Sequence, residues 1–172
     1  MIVVASVHHT GTNFVWQHLL AGVPEVGMDY GRYSTSQPPK NGFVRIHCDR
    51  AQHEYLQWWL NRCVCIVPLR HPISVAESWK ARGKDLSELA GQWQILKNEV
   101  DPHDPMYLPV DSPERMNWLD TISRHVNQEL QTGWPVVMSC HKSAQLTDDE
   151  RASVLETMAD GFFNRFYKAD TL

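Results

Sequence analysis

Residues 2–14, Ile-Val-Val-Ala-Ser-Val-His-His-Thr-Gly-Thr-Asn-Phe, constrain this chain more than any other stretch. An apolar run rich in β-branched residues stops at a turn built on Gly11, and apolar spacing of helical type follows from Phe14. That is a strand, a loop and a helix N-terminus, the arrangement that binds phosphate through backbone N–H groups and the positive end of the helix dipole. The loop does not fit the Walker pattern G-x-x-x-x-G-K-[ST]. With Gly11 set on the second glycine, Ser6 stands at the first, Thr12 at the lysine and Asn13 at the metal-binding hydroxyl. A phosphate cradle lacking both the lysine and the metal ligand points to a phosphorylated nucleotide handled by other chemistry.

The rest of the chain continues the alternation. Strands are predicted at 2–7, 43–47, 63–69, 106–110 and 135–139, and helices at 12–22, 51–61, from Pro72 onward, 85–99, 112–131 and 147–166. The segment Cys63 to Leu69 is apolar almost throughout, as in a central parallel strand covered on both faces. Pro72 suits the first turn of the helix that follows. Residues 23–42, rich in Gly, Pro, Ser and Tyr, make a long connection of the kind that tends to carry function. Strands alternating with helices predict an α/β fold with a mainly parallel central sheet flanked by helices, its ligands at the carboxyl ends of the strands. With 172 residues and no repeat, low-complexity run or linker, residues 1–172 read as one domain.

Charge and cysteine usage narrow the classes. A formal net charge of -4 argues against a nucleic-acid partner held by bulk positive charge. The N-terminal apolar run has no basic region before it and turns polar at His8, so it reads as a buried strand rather than a signal peptide. No stretch approaches the roughly 18 apolar residues that span a bilayer; a cytoplasmic protein with no membrane partner is expected. Cys48, Cys63, Cys65 and Cys140 read as buried free thiols, because C-x-C is a poor match to the C-x-x-C knuckle of zinc sites. His8, His9, His47, His53 and His71 show no H-x-x-x-H or H-E-x-x-H spacing, and no metal is expected.

Three candidate sites stand at carboxyl ends of predicted strands. The first is the loop around Gly11. The second is Arg45-Ile46-His47, where residues two apart on an extended strand project to one face. The third is Arg70 with Ser78, a guanidinium at a strand end and a hydroxyl about two helical turns on, which together could grip a phosphate. Each has a plainer reading alone: a helix start, a satisfied half-buried histidine, a surface arginine and a helix serine. Their order along the chain carries the weight.

In that order they resemble the sulfotransferases that use 3'-phosphoadenosine 5'-phosphosulfate (PAPS), which share a three-layer P-loop-like α/β fold. The family's 5'-phosphosulfate loop reads as a basic residue, [ST]-G-T-[ST], then an aromatic or apolar residue. His9-Thr10-Gly11-Thr12-Asn13-Phe14 is similar to it. Arg45-Ile46-His47 resembles the Lys-Thr-His element whose histidine is the catalytic base in cytosolic members. Arg70, Pro72 and Ser78 match the spacing of the 3'-phosphate element. The resemblance covers about residues 2–82, roughly half the chain. It departs from the family at His9, where lysine or arginine is usual, and in lacking the C-terminal Arg-Lys-Gly motif, for which His141-Lys142 is only a loose counterpart. A histidine with a reference pKa of about 6.5 would be a pH-dependent substitute near neutrality.

What the resemblance implies is specific. Backbone N–H groups of Gly11, Thr12 and Asn13, with the hydroxyls of Thr10 and Thr12, would hold the phosphosulfate end of the donor. Phe14 would stack on adenine or, equally, open the helix's core face. Arg70 and Ser78 would bind the 3'-phosphate. His47 would act as general base toward an acceptor hydroxyl or amine. His9, with Arg45 and with His8 sharing the duty, would stabilise charge on the bridging and sulfuryl oxygens. No metal is required. The competing readings are a nucleotide or small-molecule kinase recruiting Asp49, and a nucleotide-binding relic without turnover. The acceptor, a small molecule or glycan, would meet residues 23–42, with Tyr30 and Tyr33, and the helix at 85–99; the oligomeric state is left open.

Overall fold

The apolar runs read as strands become a parallel sheet in the computed structural model, which describes residues 1–30, 41–126, 143–158 and 161–167. Four strands, β1 (Ile2–Ser6), β2 (Phe43–His47), β3 (Val64–Leu69) and β4 (Met106–Pro109), lie in the order β2-β1-β3-β4. Every pairing is parallel, in registers running from Ile2 opposite Phe43 to Ser6 opposite His47, from Ile2 opposite Val64 to Val4 opposite Ile66, and from Ile66 opposite Met106 to Leu69 opposite Pro109. The chain therefore steps outward from β1 to β2, then returns past β1 to build β3 and β4. Such a reversal opens a crevice at the carboxyl ends of the strands on either side of it.

Six α-helices accompany the sheet among the described residues: α1 (Thr12–His18), α2 (His53–Leu60), α3 (Pro72–Lys80), α4 (Leu86–Ile95), α5 (Arg115–Val126) and α6 (Asp148–Thr157). Alternation along β1 divides the core. Val3, Ala5 and Val7 pack with Leu56 and Trp59 of α2, Val75, Ala76 and Trp79 of α3, Leu89 and Trp93 of α4, and Val154 of α6. Ile2 and Val4 pack with Val15 of α1, Leu19, and Leu119 and Ile122 of α5. Helices thus cover both faces, which is why all five residues of β1 are buried. Trp59, Trp79 and Trp93 are fully buried; an aromatic of this kind removes enough surface to contribute about 4–6 kcal/mol of gross transfer energy. Two of their indole N–H groups are satisfied by carbonyls, Trp59 donating to Met28 at 2.9 Å and Trp79 to Asp85 at 2.8 Å.

Several boundaries differ from the sequence reading. The helix predicted at 12–22 stops at His18, because the chain tightens through turns closed by Leu20 and Val23 and then uses a left-handed backbone at Gly22. The helix predicted at 147–166 stops at Thr157; left-handed Gly161 breaks the path, and a short 3₁₀ turn, Phe163–Arg165, follows. There Phe163 reaches the core edge-on to Trp93, and Phe162 edge-on to Tyr107. The helix predicted at 85–99 continues past Ile95 as one π turn, Leu96–Val100. The strand predicted at 135–139, and with it Tyr33, Cys140, His141 and Lys142, lies outside the described residues. Cys48, Cys63 and Cys65 are free thiols, Cys63 only half-buried; burial pushes the Cys65 thiol up to about 12 and Cys48 well above its ordinary range.

Candidate functional site

The carboxyl ends of the four strands open on one cleft of about 920 Å³. Its wall takes residues from the β1–α1 connection, from β2, from the residue after β3 and from the two after β4. His8, His9, Gly11, Thr12, Asn13, Phe14, Arg45, His47 and Arg70, drawn from three separate stretches of sequence, are brought together there. Thr10 and Ser78 lie behind the wall. Thr10 is buried and its hydroxyl donates to the carbonyl of Val7 at 2.7 Å, while the buried Ser78 hydroxyl is taken by Arg82.

The loop conformation follows from two residues in left-handed backbone. Gly11, with φ 110° and ψ 28°, caps α1, and its carbonyl accepts from the N–H groups of Phe14 and Val15. Only glycine fits: a Cβ there would stand 2.8 Å from Cγ2 and 3.0 Å from Cγ1 of Val110. The N–H groups of Gly11, Thr12 and Asn13 have no acceptor among the described residues. His9 is the second, with φ 68°, a conformation that costs a non-glycine residue about 1–2 kcal/mol. Strain held at a cleft wall is a pointer to function.

The imidazoles form a layer. His8 stacks on His47 with ring centroids 3.7 Å apart and planes 19° from parallel, and Trp79 lies edge-on to both His8 and His9 at 5.6 Å. The His8 backbone N–H donates to Gln92 Oε1 at 2.9 Å, and its ring faces Asp49 at 3.6 Å. Asp49 also accepts from the Gln52 N–H, and Gln52 Oε1 accepts from the His47 N–H at 2.8 Å. His47 Nδ1 lies 3.2 Å from Ser6 Oγ, which receives the Thr12 hydroxyl at 3.0 Å. That leaves His47 Nε2 as the ring nitrogen with no partner among the described residues.

Electrostatics correct one expectation. Burial, and then the positive charges of Arg82 and Lys84, hold His9 down to about 4. Burial, then His8, against the pull of Asp49, hold His47 down to about 4. His8 is lowered too, chiefly by burial and then by Lys84. Near neutrality the three rings are therefore uncharged. The titration expected of His9 near neutral pH is displaced into the acid range, and the ring acts as a neutral donor and acceptor rather than as a cation.

The arginines differ in what they have left to offer. Arg45 is tied by Glu25 in a two-pronged pair, Nε to Oε1 at 2.6 Å and Nη2 to Oε2 at 2.9 Å. Arg70 Nη1 and His9 Nε2 are buried with no hydrogen-bond partner. An orphaned buried polar atom costs about 1–3 kcal/mol, and these two belong to residues that line one cleft. Asp111 braces the wall beside Arg70: its Oδ2 accepts from the His71 N–H at 2.8 Å and its Oδ1 from the Tyr167 hydroxyl at 2.7 Å. Phe14 is half-buried, packs against the α1 side of the core as the first apolar position of the helix, and also lines the cleft. Ser6, Glu25, Arg82, Gln92 and Asp111 were not foreseen. None of these stands in a pattern that marks it as a site residue; Arg82 lies four positions after Ser78, past the end of α3.

Fold and geometry together define an α/β protein with a polar cleft at the carboxyl ends of its parallel strands. Among the described residues no group of three or more His, Cys, Asp or Glu side chains is arranged to hold a metal ion, and no helix is long and apolar enough to cross a membrane. Comparison of the chain with protein-family models, with curated proteins and with solved structures finds no match.

Proposed function

We propose that this chain is a sulfotransferase of P-loop-like fold that moves a sulfuryl group from PAPS to a hydroxyl or amine of a small-molecule or glycan acceptor. The observation that carries the reading is the meeting of the Gly11 loop, His47 and Arg70 around one cleft, with two buried polar groups left unpartnered. Free N–H groups of the Gly11 loop receive the phosphosulfate end of the donor. Arg70 Nη1 answers the 3'-phosphate that separates this donor from ATP. His47, uncharged at neutral pH and held through Nδ1 by Ser6, takes the acceptor proton at Nε2 as the acceptor oxygen or nitrogen bonds to sulfur. The bond from sulfur to the bridging oxygen breaks, and its electron pair leaves on adenosine 3',5'-bisphosphate. His9 contributes a neutral N–H donor rather than a charge.

That last point favours a second reading, a donor-binding protein without turnover. A kinase-type reading has less support, since Asp49 is occupied by Gln52 and faces His8. Thermal-shift titration in EDTA with adenosine 3',5'-bisphosphate against ATP and ADP separates them: stabilisation by the bisphosphate is expected, and a preference for ATP or a strict need for Mg would sink the proposal. Transfer of labelled sulfate from PAPS then distinguishes an enzyme from a binder. His47→Ala is expected to lose about 10²–10⁴-fold in turnover; full activity in that variant removes His47 from the base role.

A further inference from the structure

The cleft reads as a site for an anion, yet its loop carries no charge at neutral pH and Arg45 is neutralised by Glu25. We infer that Arg82, pinned by Ser78, is the residue that brings positive charge to the anionic end of the ligand beside His9. The inference rests on the anion-binding reading of the cleft given above and names a contact that the sequence pattern did not contain.

Three observations carry it. Arg82 lines the cleft, two residues beyond the end of α3. Its Nη1 donates twice to Ser78, to the carbonyl at 2.8 Å and to the hydroxyl at 2.5 Å, and Ser78 is only 1% exposed. One prong of an otherwise exposed guanidinium is thus fixed to the core, while Nε and Nη2 have no acceptor among the described residues. A planar fork anchored on one side loses less freedom when it grips a second group, which suits it to a phosphate or phosphosulfate oxygen.

Its charge also reaches the right place. Among the neighbouring charges Arg82 acts most strongly on His9, whose Nε2 is one of the two orphaned atoms. Lys84, the next, stands 4.4 Å over the Trp79 ring and is not part of the cleft wall. Nearby negative charge is already engaged: Asp49 with Gln52 and His8, Asp111 with His71 and Tyr167, Glu25 with Arg45. Among the described arginines of the cleft, Arg70 and Arg82 are left without a carboxylate partner, whereas Arg45 is held by Glu25. Ser78, which the family resemblance casts as a direct phosphate ligand, becomes a positioning residue for Arg82.

The test is calorimetric titration of the full chain in EDTA with inorganic pyrophosphate and, separately, with adenosine 3',5'-bisphosphate. Arg82→Gln is expected to weaken both at least tenfold, and Ser78→Ala to weaken both by a smaller factor. In the absence of ligand, NMR titration of the His9 ring is expected to move upward in Arg82→Gln, a shift that a purely structural role would not produce. Binding of both anions within twofold of wild type, or an unmoved His9 titration, overturns the inference. If Arg82→Gln does not fold, Arg82→Lys carries the test, since it keeps the charge and loses the fork: at least threefold weakening is expected and unchanged affinity overturns it. Pyrophosphate bound through Arg82 without any binding of the bisphosphate upholds this inference and rejects the PAPS donor. Bisphosphate binding indifferent to Arg82 does the reverse.

Discussion

Gly11→Ala isolates what the loop demands of its backbone. Two costs are separable. The left-handed φ of 110° costs an alanine about 1–2 kcal/mol. The added Cβ, 2.8 Å and 3.0 Å from the two γ-methyls of Val110, lies well inside the roughly 3.5–4.0 Å optimum for carbon pairs, and overpacking of this kind costs about 1–3 kcal/mol. Loss of unfolded-state freedom returns up to about 1 kcal/mol. The net destabilisation is about 1–5 kcal/mol, and for a chain of this size each kcal/mol lowers Tm by about 2–4 °C. A double-mutant cycle with Val110→Ala divides the sum, because that change removes the methyls and leaves φ untouched. Urea unfolding of the four proteins is expected to show a coupling of about 1–3 kcal/mol, with a residual cost of up to about 2 kcal/mol for Gly11→Ala in the Val110→Ala background. Additive effects would refute the close approach of the loop to Val110, and a Gly11→Ala protein as stable as wild type would refute both costs at once.

The histidines give a pH signature. His9 and His47 titrate lower in the folded chain than in the unfolded one, so between about 6.5 and about 4 the unfolded state binds more protons and stability falls as pH falls. Stability measured from pH 7.5 to 5, above most carboxylate titrations, should decline in wild type and decline less steeply in His47→Gln; an unaltered slope would count against the buried, neutral ring. Asp111→Ala removes an acceptor shared by the His71 N–H and the Tyr167 hydroxyl, and a loss of about 1–3 kcal/mol is expected by thermal melting. Thr147→Ala opens the capping box that Thr147 forms with Glu150 at the start of α6 and should cost about 1 kcal/mol, which Thr147→Ser should largely restore.

The strands and the loop were legible because their signals are local: a β-branched run, a glycine, a proline at a helix start. Pro68 shows how far this reaches. A proline inside a central strand argues against that strand, but pairing with β1 ends at Ile66, so Pro68 has no ladder partner to lose on that side. The cleft was legible only in part. His47, Arg70 and Gly11 sit at strand ends, where the sequence itself marks a change from apolar to polar. Gln92 reaches His8 across 84 positions, and Asp111 meets the backbone of His71 across 40, contacts that no local pattern announces. Burial was the other hidden quantity. His9 reads as a partly charged ring by its ordinary pKa and becomes neutral through burial, with Arg82 and Lys84 nearby.

Within the sheet, the last paired residues are Ser6 with His47 and Leu69 with Pro109. His8, His9, Gly11, Arg70, Arg82 and Asp111 all stand beyond those pairs, outside the hydrogen-bonded ladder. Six of the cleft's residues thus lie where a substitution changes no ladder pair, whereas Arg45 and His47 stand within β2 itself. The polar groups carried beyond the ladder, at His9 in the loop or at Arg82 after α3, can be exchanged while the strand pairings stay as they are. The same separation suits the molecule to having a new ligand specificity written onto its strand ends.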